Sequence, residues 1–346
     1  MKAAVVSLYA RNNYGNCLQR HAVHMLLERH GCAPVSFDRR RLTKDRLLEM
    51  SLEAFSFIPV PSRKLERARR FLMFDKHLPS RRVSSNNLRR VASEFDVFVV
   101  GSDQVWNPRV WDFDAGYNLL GFVEPSERRI ALSPSFGISQ LDLDDIEVFK
   151  RYLSEYARLS VREKEGADIV GSLLGKKAEV LPDPTMALGA MHWRGLANAS
   201  LAPDSPFVLV YELGSGRSCL EAAERYAAPK GLDIVELNNA SNRYFAAGPA
   251  DFVGLIFGAE AVFTDSFHAM AFSLLGHTPF KVLPRSGSTY SMSSRISTLE
   301  DVFDIASDDP EQNYNWDAVD KRQRELSELL NSYLASELKR VREVIA

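Results

Sequence analysis

No stretch of the sequence approaches the roughly 18 consecutive apolar residues that a membrane-crossing helix needs. The first ten residues, MKAAVVSLYA, hold a short apolar run that meets Arg11-Asn12-Asn13 at once. They read as a first buried strand and not as an export signal. Cysteine is scarce: Cys17, Cys32 and Cys219 are the only three, and no pair has CxxC spacing. That excludes a disulfide framework and fits the reduced thiols of a cytoplasmic protein. The seven histidines are scattered with no HxxxH pair, so no metal site is expected. Charge of one sign is also missing. Against 45 Asp and Glu stand 43 Lys and Arg, a net charge of -2, which gives no reason to expect a nucleic-acid partner. There is no GxGxxG, no Walker loop, no GxSxG elbow and no kinase signature.

What the chain does have is a series of short, wholly apolar runs between helical patterns. Ala3–Leu8, Ala33–Phe37, Asp96–Val100, Ile130–Leu132 and Leu159–Val161 form one set. Phe207–Tyr211, Ile234–Leu237, Ala261–Thr264 and Pro279–Leu283 form another. Strands apolar on both faces and separated by helices indicate parallel sheets covered on both sides. A chain of 346 residues is long for one core, and the Gly-, Asn- and Pro-containing stretch 182–206 separates the two sets. The expected architecture is therefore α/β. It has a domain at 1–182, a second at 183–346, and a long charged helix from Trp316 onward packing back across them.

One segment departs from the neutral background. Between Arg39 and Arg90 there are 15 Lys or Arg and 5 Asp or Glu. Within it, residues 63–74 (RKLERARRFLMF) have the pattern of a basic amphipathic helix, preceded by the apolar run Phe55–Val60. This basic helical insertion, about 39–90, is either a solvated helix packed on the sheet by Phe71, Leu72 and Phe74 or an electrostatic dock. In the second case residues 55–74 would bring the protein to the inner face of a membrane, or to a lipid-diphosphate-linked acceptor.

In open parallel sheets ligands gather at the carboxyl ends of strands, so the residues leaving each strand carry the chemistry. After the first strand comes Asn12-Asn13-Tyr14-Gly15-Asn16, opening a helix whose amides can face an anion or a hydroxyl. After Asp96–Val100 comes Gly101-Ser102-Asp103-Gln104-Val105-Trp106-Asn107, a polar cluster that needs partners. Arg162 follows the strand Leu159–Val161 and offers a planar fork to a carboxylate or phosphate, with a neighbouring carboxylate such as Glu163 as the structural alternative. Leu181-Pro182-Asp183-Pro184-Thr185 reads as a rigid turn whose Asp183 either caps a helix, the favoured reading, or meets a ligand. The sharpest group is Thr264-Asp265-Ser266-Phe267-His268, which places His268 in the first turn of an apolar helix. An imidazole beside a bound anion can serve as a general acid. Beyond it, Arg285 and Arg295 frame a Gly- and Ser-rich loop suited to a flap over an anionic ligand.

Taken in order, NNYGN, VVGSDQVWNP, SVRE, LPDPT and VFTDSFHAMAFSLLGHTPF resemble the polysaccharide pyruvyl transferase family, from residue 3 to about 303. The resemblance implies two Rossmann-like domains facing a central cleft, similar to the GT-B glycosyltransferases. It also implies a reaction in which phosphoenolpyruvate gives its pyruvyl group to a sugar or lipid-linked oligosaccharide, leaving a ketal and phosphate, with no further cofactor. His268 matches the histidine of the family's C-terminal motif and takes the acid role. Asp103 is the candidate to deprotonate an acceptor hydroxyl. Arg162, Arg285 and Arg295 are the candidate cations for the donor, and Asn13, Tyr14, Gly15, Ser102, Gln104, Asp265 and Ser266 are the other substrate-binding candidates. Better-known members carry an arginine two residues before the histidine, where this chain has Ser266. Two other readings stay open. A nucleotide-sugar glycosyltransferase of the same architecture would use Glu236 on the ribose, and a non-catalytic glycan-binding subunit would not need His268.

Overall fold

The computed structural model describes residues 1–9, 12–39, 62–111, 115–286 and 293–346. The apolar run Phe55–Val60, the basic residues from Arg40 to Arg46, and the centre of the Gly- and Ser-rich loop, residues 287–292, lie outside them.

The first set of apolar runs pairs into a five-stranded sheet. Its strands are β1 (Lys2–Val6), β2 (Ala33–Asp38), β3 (Ser80–Arg82), β4 (Val97–Val100) and β5 (Arg129–Ala131), in the order β3-β2-β1-β4-β5. Every pairing is parallel, with Ala3 opposite Val97 and Lys2 opposite Ala33. The central strands are buried from Ala3 to Val6 and over the whole of Val97–Val100, as their apolar runs require. The strand β3 has the sequence Ser-Arg-Arg and is exposed at every position. An edge strand needs no apolar face, so the sequence pattern reads through it as part of a helical insertion. The short strands β6 (Ser160–Val161) and β7 (Glu179–Val180) pair only with each other, so Leu159–Val161 does not extend the main sheet.

The second set forms a four-stranded parallel sheet of β8 (Phe207–Tyr211), β9 (Asp233–Glu236), β10 (Ala261–Thr264) and β11 (Phe280–Val282), in the order β11-β10-β8-β9. Both orders are those of doubly wound α/β units. Their reversal points fall between β1 and β4 in one and between β8 and β10 in the other. The NNYGN, GSDQ and TDSFH motifs leave these strands, so topology alone brings them to crevice positions.

The two sheets are joined by a continuous apolar core. The helices Tyr14–Arg29, Pro184–Leu196, Pro249–Gly258 and Phe267–Gly276 meet there, with Tyr14 stacked on Phe252 at a 4.5 Å centroid distance. The C-terminal helix Trp316–Ile345 crosses both units. Arg340 donates to the carbonyls of Glu127 and Arg129 on one side, and Asp320 lies 2.7 Å from His277 on the other. Between these ends, Gln323 and Ser327 donate to the carbonyls of Met186 and Ala187. No described helix is long and apolar enough to cross a membrane.

The basic helix forms over Arg63–Asp75, and several of its cations have partners within the fold. Arg67 is 5% exposed and donates to the carbonyls of Asn12, Leu237 and Phe245, with its guanidinium against the Tyr14 and Phe245 rings. Arg70 pairs with Asp251 at 2.8 Å and with Glu66, and Arg69 also pairs with Glu66. Arg63 donates to the carbonyl of Ser241. Arg67 and Arg70, from the segment read as a solvated helix or a dock, thus tie the first unit to the second. A buried guanidinium needs several acceptors, and the carbonyls of residues 237–245 supply them.

Candidate active site

Local structure fixes each strand-end group. Asn13 caps the helix Tyr14–Arg29, its side chain accepting from the Asn16 amide at 3.1 Å. Ser266 caps the helix Phe267–Gly276, and its own amide donates to Thr264 Oγ1. That cap sets His268 in the first turn, 7% exposed, with its ring laid over Gly15 of the first unit. A Cβ at Gly15 would stand 2.1 Å from His268 Nδ1. Glycine is required there because the imidazole from the other unit occupies the space.

Beneath His268 lies a buried ionic network. Asp183 Oδ2 accepts from Arg162 Nη1 at 2.6 Å and from Ser102 Oγ at 3.3 Å. The other Asp183 oxygen takes the Thr185 amide and hydroxyl at 2.9 and 2.8 Å. Arg162 reaches Asp103 Oδ1 at 3.4 Å and lies over the Phe267 ring at 4.4 Å. Arg295 stands 3.9 Å from the same Asp103 oxygen. With the Gln104 amide turned so that its oxygen faces it, Arg295 also donates to Gln104 at 2.5 and 2.8 Å. Asn16 donates to Asp103 Oδ2, and Ser102 holds Gln19 through its amide. His268 Nε2 is 3.6 Å from Asp183 Oδ2, an ion-pair distance longer than a hydrogen bond.

Burial alone would raise both carboxyls, but their neighbours outweigh it. The Arg162, His268 and Arg295 charges hold Asp103 below the usual carboxylate range. The His268 and Arg162 side chains and the Thr185 amide hold Asp183 well below it. For Arg295, burial and the Arg162 charge push the guanidinium down to about 10. Glu163 is fully buried and ties the loop at residues 135–137, accepting from Ser135 Oγ, Phe136 N and Gly137 N. Each of the three expected donor cations also has a carboxylate partner. Arg162 faces Asp103 and Asp183, Arg295 faces Asp103, and Arg285 faces Asp265 at 3.2 Å.

Next to this network is a cavity of about 320 Å³ at the carboxyl ends of β1, β2 and β4. Asn13, Asn16, Asp103, Gln104 and Arg285 line it on the side of the network. Ser7, Phe37, Arg39, Trp111, Tyr117 and Asn118 form the rest of its wall, together with Leu8, Tyr9 and Val110. The Trp111 indole donates to the Val105 carbonyl at 2.7 Å and stacks on Phe149, while Tyr117 donates to the Phe37 carbonyl. The aromatic walls are thus held rigidly.

The structure draws His268, Gly15, Ser102, Asp103, Gln104, Arg162 and Arg295 into one cluster, with Asn13 and Arg285 at the adjoining cavity. Three substrate-binding candidates do other work. Tyr14 is fully buried with its hydroxyl donating to the Ala247 carbonyl, a core and inter-unit role. Asp265 accepts from the Leu213 and Gly214 amides and holds Arg285. Ser266 is a helix cap. Sequence reasoning left out Asn16 and Asp183, although both lie in quoted motifs. It had no signal for Phe37, Trp111 or Asn118, which sit in a strand end and two short helical turns. Among the described residues no group of three or more His, Cys, Asp or Glu side chains is placed to hold a metal ion.

Comparison with known proteins gives one family match. The model for "Polysaccharide pyruvyl transferase" aligns with residues 13–287. No curated protein sequence matches the chain. Among solved structures, a putative UDP-N-acetylglucosamine 2-epimerase from Listeria monocytogenes is similar at 11% identity and a TM-score of 0.46, covering 97% of this chain and 90% of that one. The UDP-GlcNAc 2-epimerase of Methanocaldococcus jannaschii gives 12% identity and a TM-score of 0.47, covering 93% and 91%. The S. aureus MnaA structure with UDP gives 12% and 0.46, covering 96% and 90%.

Proposed function

Since the chain belongs to the polysaccharide pyruvyl transferase family, we propose that it moves the pyruvyl group of phosphoenolpyruvate onto two hydroxyls of one sugar in a cell-surface polysaccharide precursor. In this reading His268 protonates the methylene carbon of the donor. The C2 atom gains oxocarbenium character, one acceptor hydroxyl adds to it, and the C–O bond to phosphate breaks. The second hydroxyl then closes the ketal. The methyl group gains one proton and the departing phosphate the other, and both come from the two acceptor hydroxyls. Asp103 is the group placed to take the first of them, since it lines the cavity and is held ionised by its cations.

The observation that carries the reading is the placement of His268. The second unit delivers its imidazole onto Gly15 of the first, against Asp183 and beside the cavity that Asp103 and Asn16 line. A polyhydroxylated ring suits that cavity, whose wall combines amide, hydroxyl, charged and aromatic groups. The donor approaches Arg162 and Arg295 in competition with Asp103. Positioning of donor and acceptor across the two units and proton delivery from His268 together supply the rate. The expected place of action is cytoplasmic, at the precursor stage.

The test is acceptor-dependent phosphate release from phosphoenolpyruvate across a panel of lipid-linked sugars, with UDP-sugars offered as alternative donors. Release with phosphoenolpyruvate and a product carrying an acid-labile ketal supports the proposal. Turnover of a UDP-sugar without phosphoenolpyruvate would replace it with the glycosyltransferase reading.

A further inference from the structure

Asp183 stands where the first unit ends. It follows β7 and caps the helix Pro184–Leu196 that leads into the second unit, and its side chain has no solvent exposure. Its two oxygens have different tasks. One is spent on the cap through Thr185. The other takes Arg162 and Ser102 and also faces His268 Nε2 at 3.6 Å. That nitrogen is buried and has no hydrogen-bond partner, which is uncommon for a polar atom in a folded interior. The ring has little freedom to find another, because Gly15 lies against its face and Phe267 packs edge-on to it at 5.3 Å. The other charged groups of the cluster are Asp103, Arg162, Arg295 and Glu163. Asp103 is shared between Asn16 and the two arginines, and Glu163 is turned to the 135–137 loop.

We propose that Asp183 is the positioning residue for His268: a carboxylate of the first unit that takes the Nε2 proton of an imidazole from the second and so fixes which nitrogen is left to act. The inference rests on the proposed pyruvyl transfer for its kinetic consequences only. Catalytic hydrogen bonds are often long without ligand and tighten when substrate draws the parts together, and closing 3.6 Å to about 3 Å needs only a small movement of the two units. An anionic acceptor at Nε2 selects the Nε2–H tautomer.

The kinetic test is Asp183→Asn, which keeps the shape and the Thr185 cap. The expected result is a fall in kcat of about 100-fold or more with the KM for phosphoenolpyruvate nearly unchanged. A purely structural cap would lower the amount of folded enzyme and leave kcat per folded molecule in place, and an unchanged kcat overturns the proposal. Because this substitution leaves Arg162 with one less carboxylate, the double variant Arg162→Met/Asp183→Asn removes both charges and checks the fold. A substrate-free measurement decides the matter independently. In protein with 15N-labelled histidine, with His268→Gln assigning the signal, neutral His268 should carry its proton on Nε2. A proton on Nδ1 overturns the proposal. If the wild-type enzyme releases no phosphate from phosphoenolpyruvate, the pyruvyl-transfer reading fails and the labelled-imidazole result still decides the role of Asp183.

Discussion

Substituting Gly15 by alanine is the change whose effect on this site can be worked most directly from geometry. Gly15 lies in the first turn of the helix Tyr14–Arg29, where alanine is ordinarily the better helix former by a few tenths to about 1 kcal/mol. Taken by itself the helix predicts a gain in stability and no loss of activity. The imidazole overhead reverses that expectation. A new Cβ would stand 2.1 Å from Nδ1, 2.5 Å from Cε1 and 2.6 Å from Cγ of His268, and ordinary contact begins near 3.4 Å. The ring must therefore retreat by roughly 1 Å or more, or the two units must part by that amount. A misplacement of about 1 Å at the reacting group can cost about 100-fold in rate, near 2.7 kcal/mol of barrier. Gly15→Ala should thus lower kcat/KM for acceptor-dependent phosphate release by about two orders of magnitude while the protein stays folded. In the His268→Ala background the clash is gone, so adding Gly15→Ala should raise stability in urea unfolding and change activity no further. The cycle of the two substitutions should therefore show strong coupling. A fully active Gly15→Ala single variant, or equal destabilisation in both backgrounds, would refute the reasoning.

Two further outcomes follow from the same contacts. Asp103→Asn removes a carboxylate that faces Arg162 and Arg295, so phosphoenolpyruvate should bind more tightly while kcat falls by about 100-fold or more; steady-state kinetics with separate donor and acceptor titrations checks both, and an unchanged kcat removes Asp103 from the chemistry. Arg67→Ala deletes a buried guanidinium that donates to three carbonyls and packs on two rings across the units, and should cost about 2–4 kcal/mol in denaturant unfolding. Unaltered stability together with lost association to anionic vesicles would return that helix to a docking role.

The parallel sheets were readable because their strands are apolar without interruption, and the crevice residues because each motif leaves such a strand. The C-terminal helix was readable from its charge pattern. Where reading failed, the deciding interaction crosses a long stretch of chain. Nothing at Arg295 announces that it meets Asp103, and nothing at Arg162 distinguishes Asp183 from Glu163, its neighbour in sequence. Three cations in a row of motifs point to an anionic donor, and the carboxylates that also partner them were not legible as partners. The basic helix shows the same limit. Composition shows that Arg67 and Arg70 are charged, and only the fold shows that carbonyls and Asp251 of the other unit face them. The aromatic wall of the cavity left no pattern at all, because Trp111 and Tyr117 sit in turns too short to have a period.

The central claim is that His268 delivers the proton that makes the donor electrophilic. The most direct measurement compares wild type with His268→Ala for phosphate release from phosphoenolpyruvate in the presence of acceptor, alongside calorimetric binding of the donor. The account predicts that release falls by about 1,000-fold or more while donor binding remains measurable. Release at the wild-type rate from the alanine variant would contradict it.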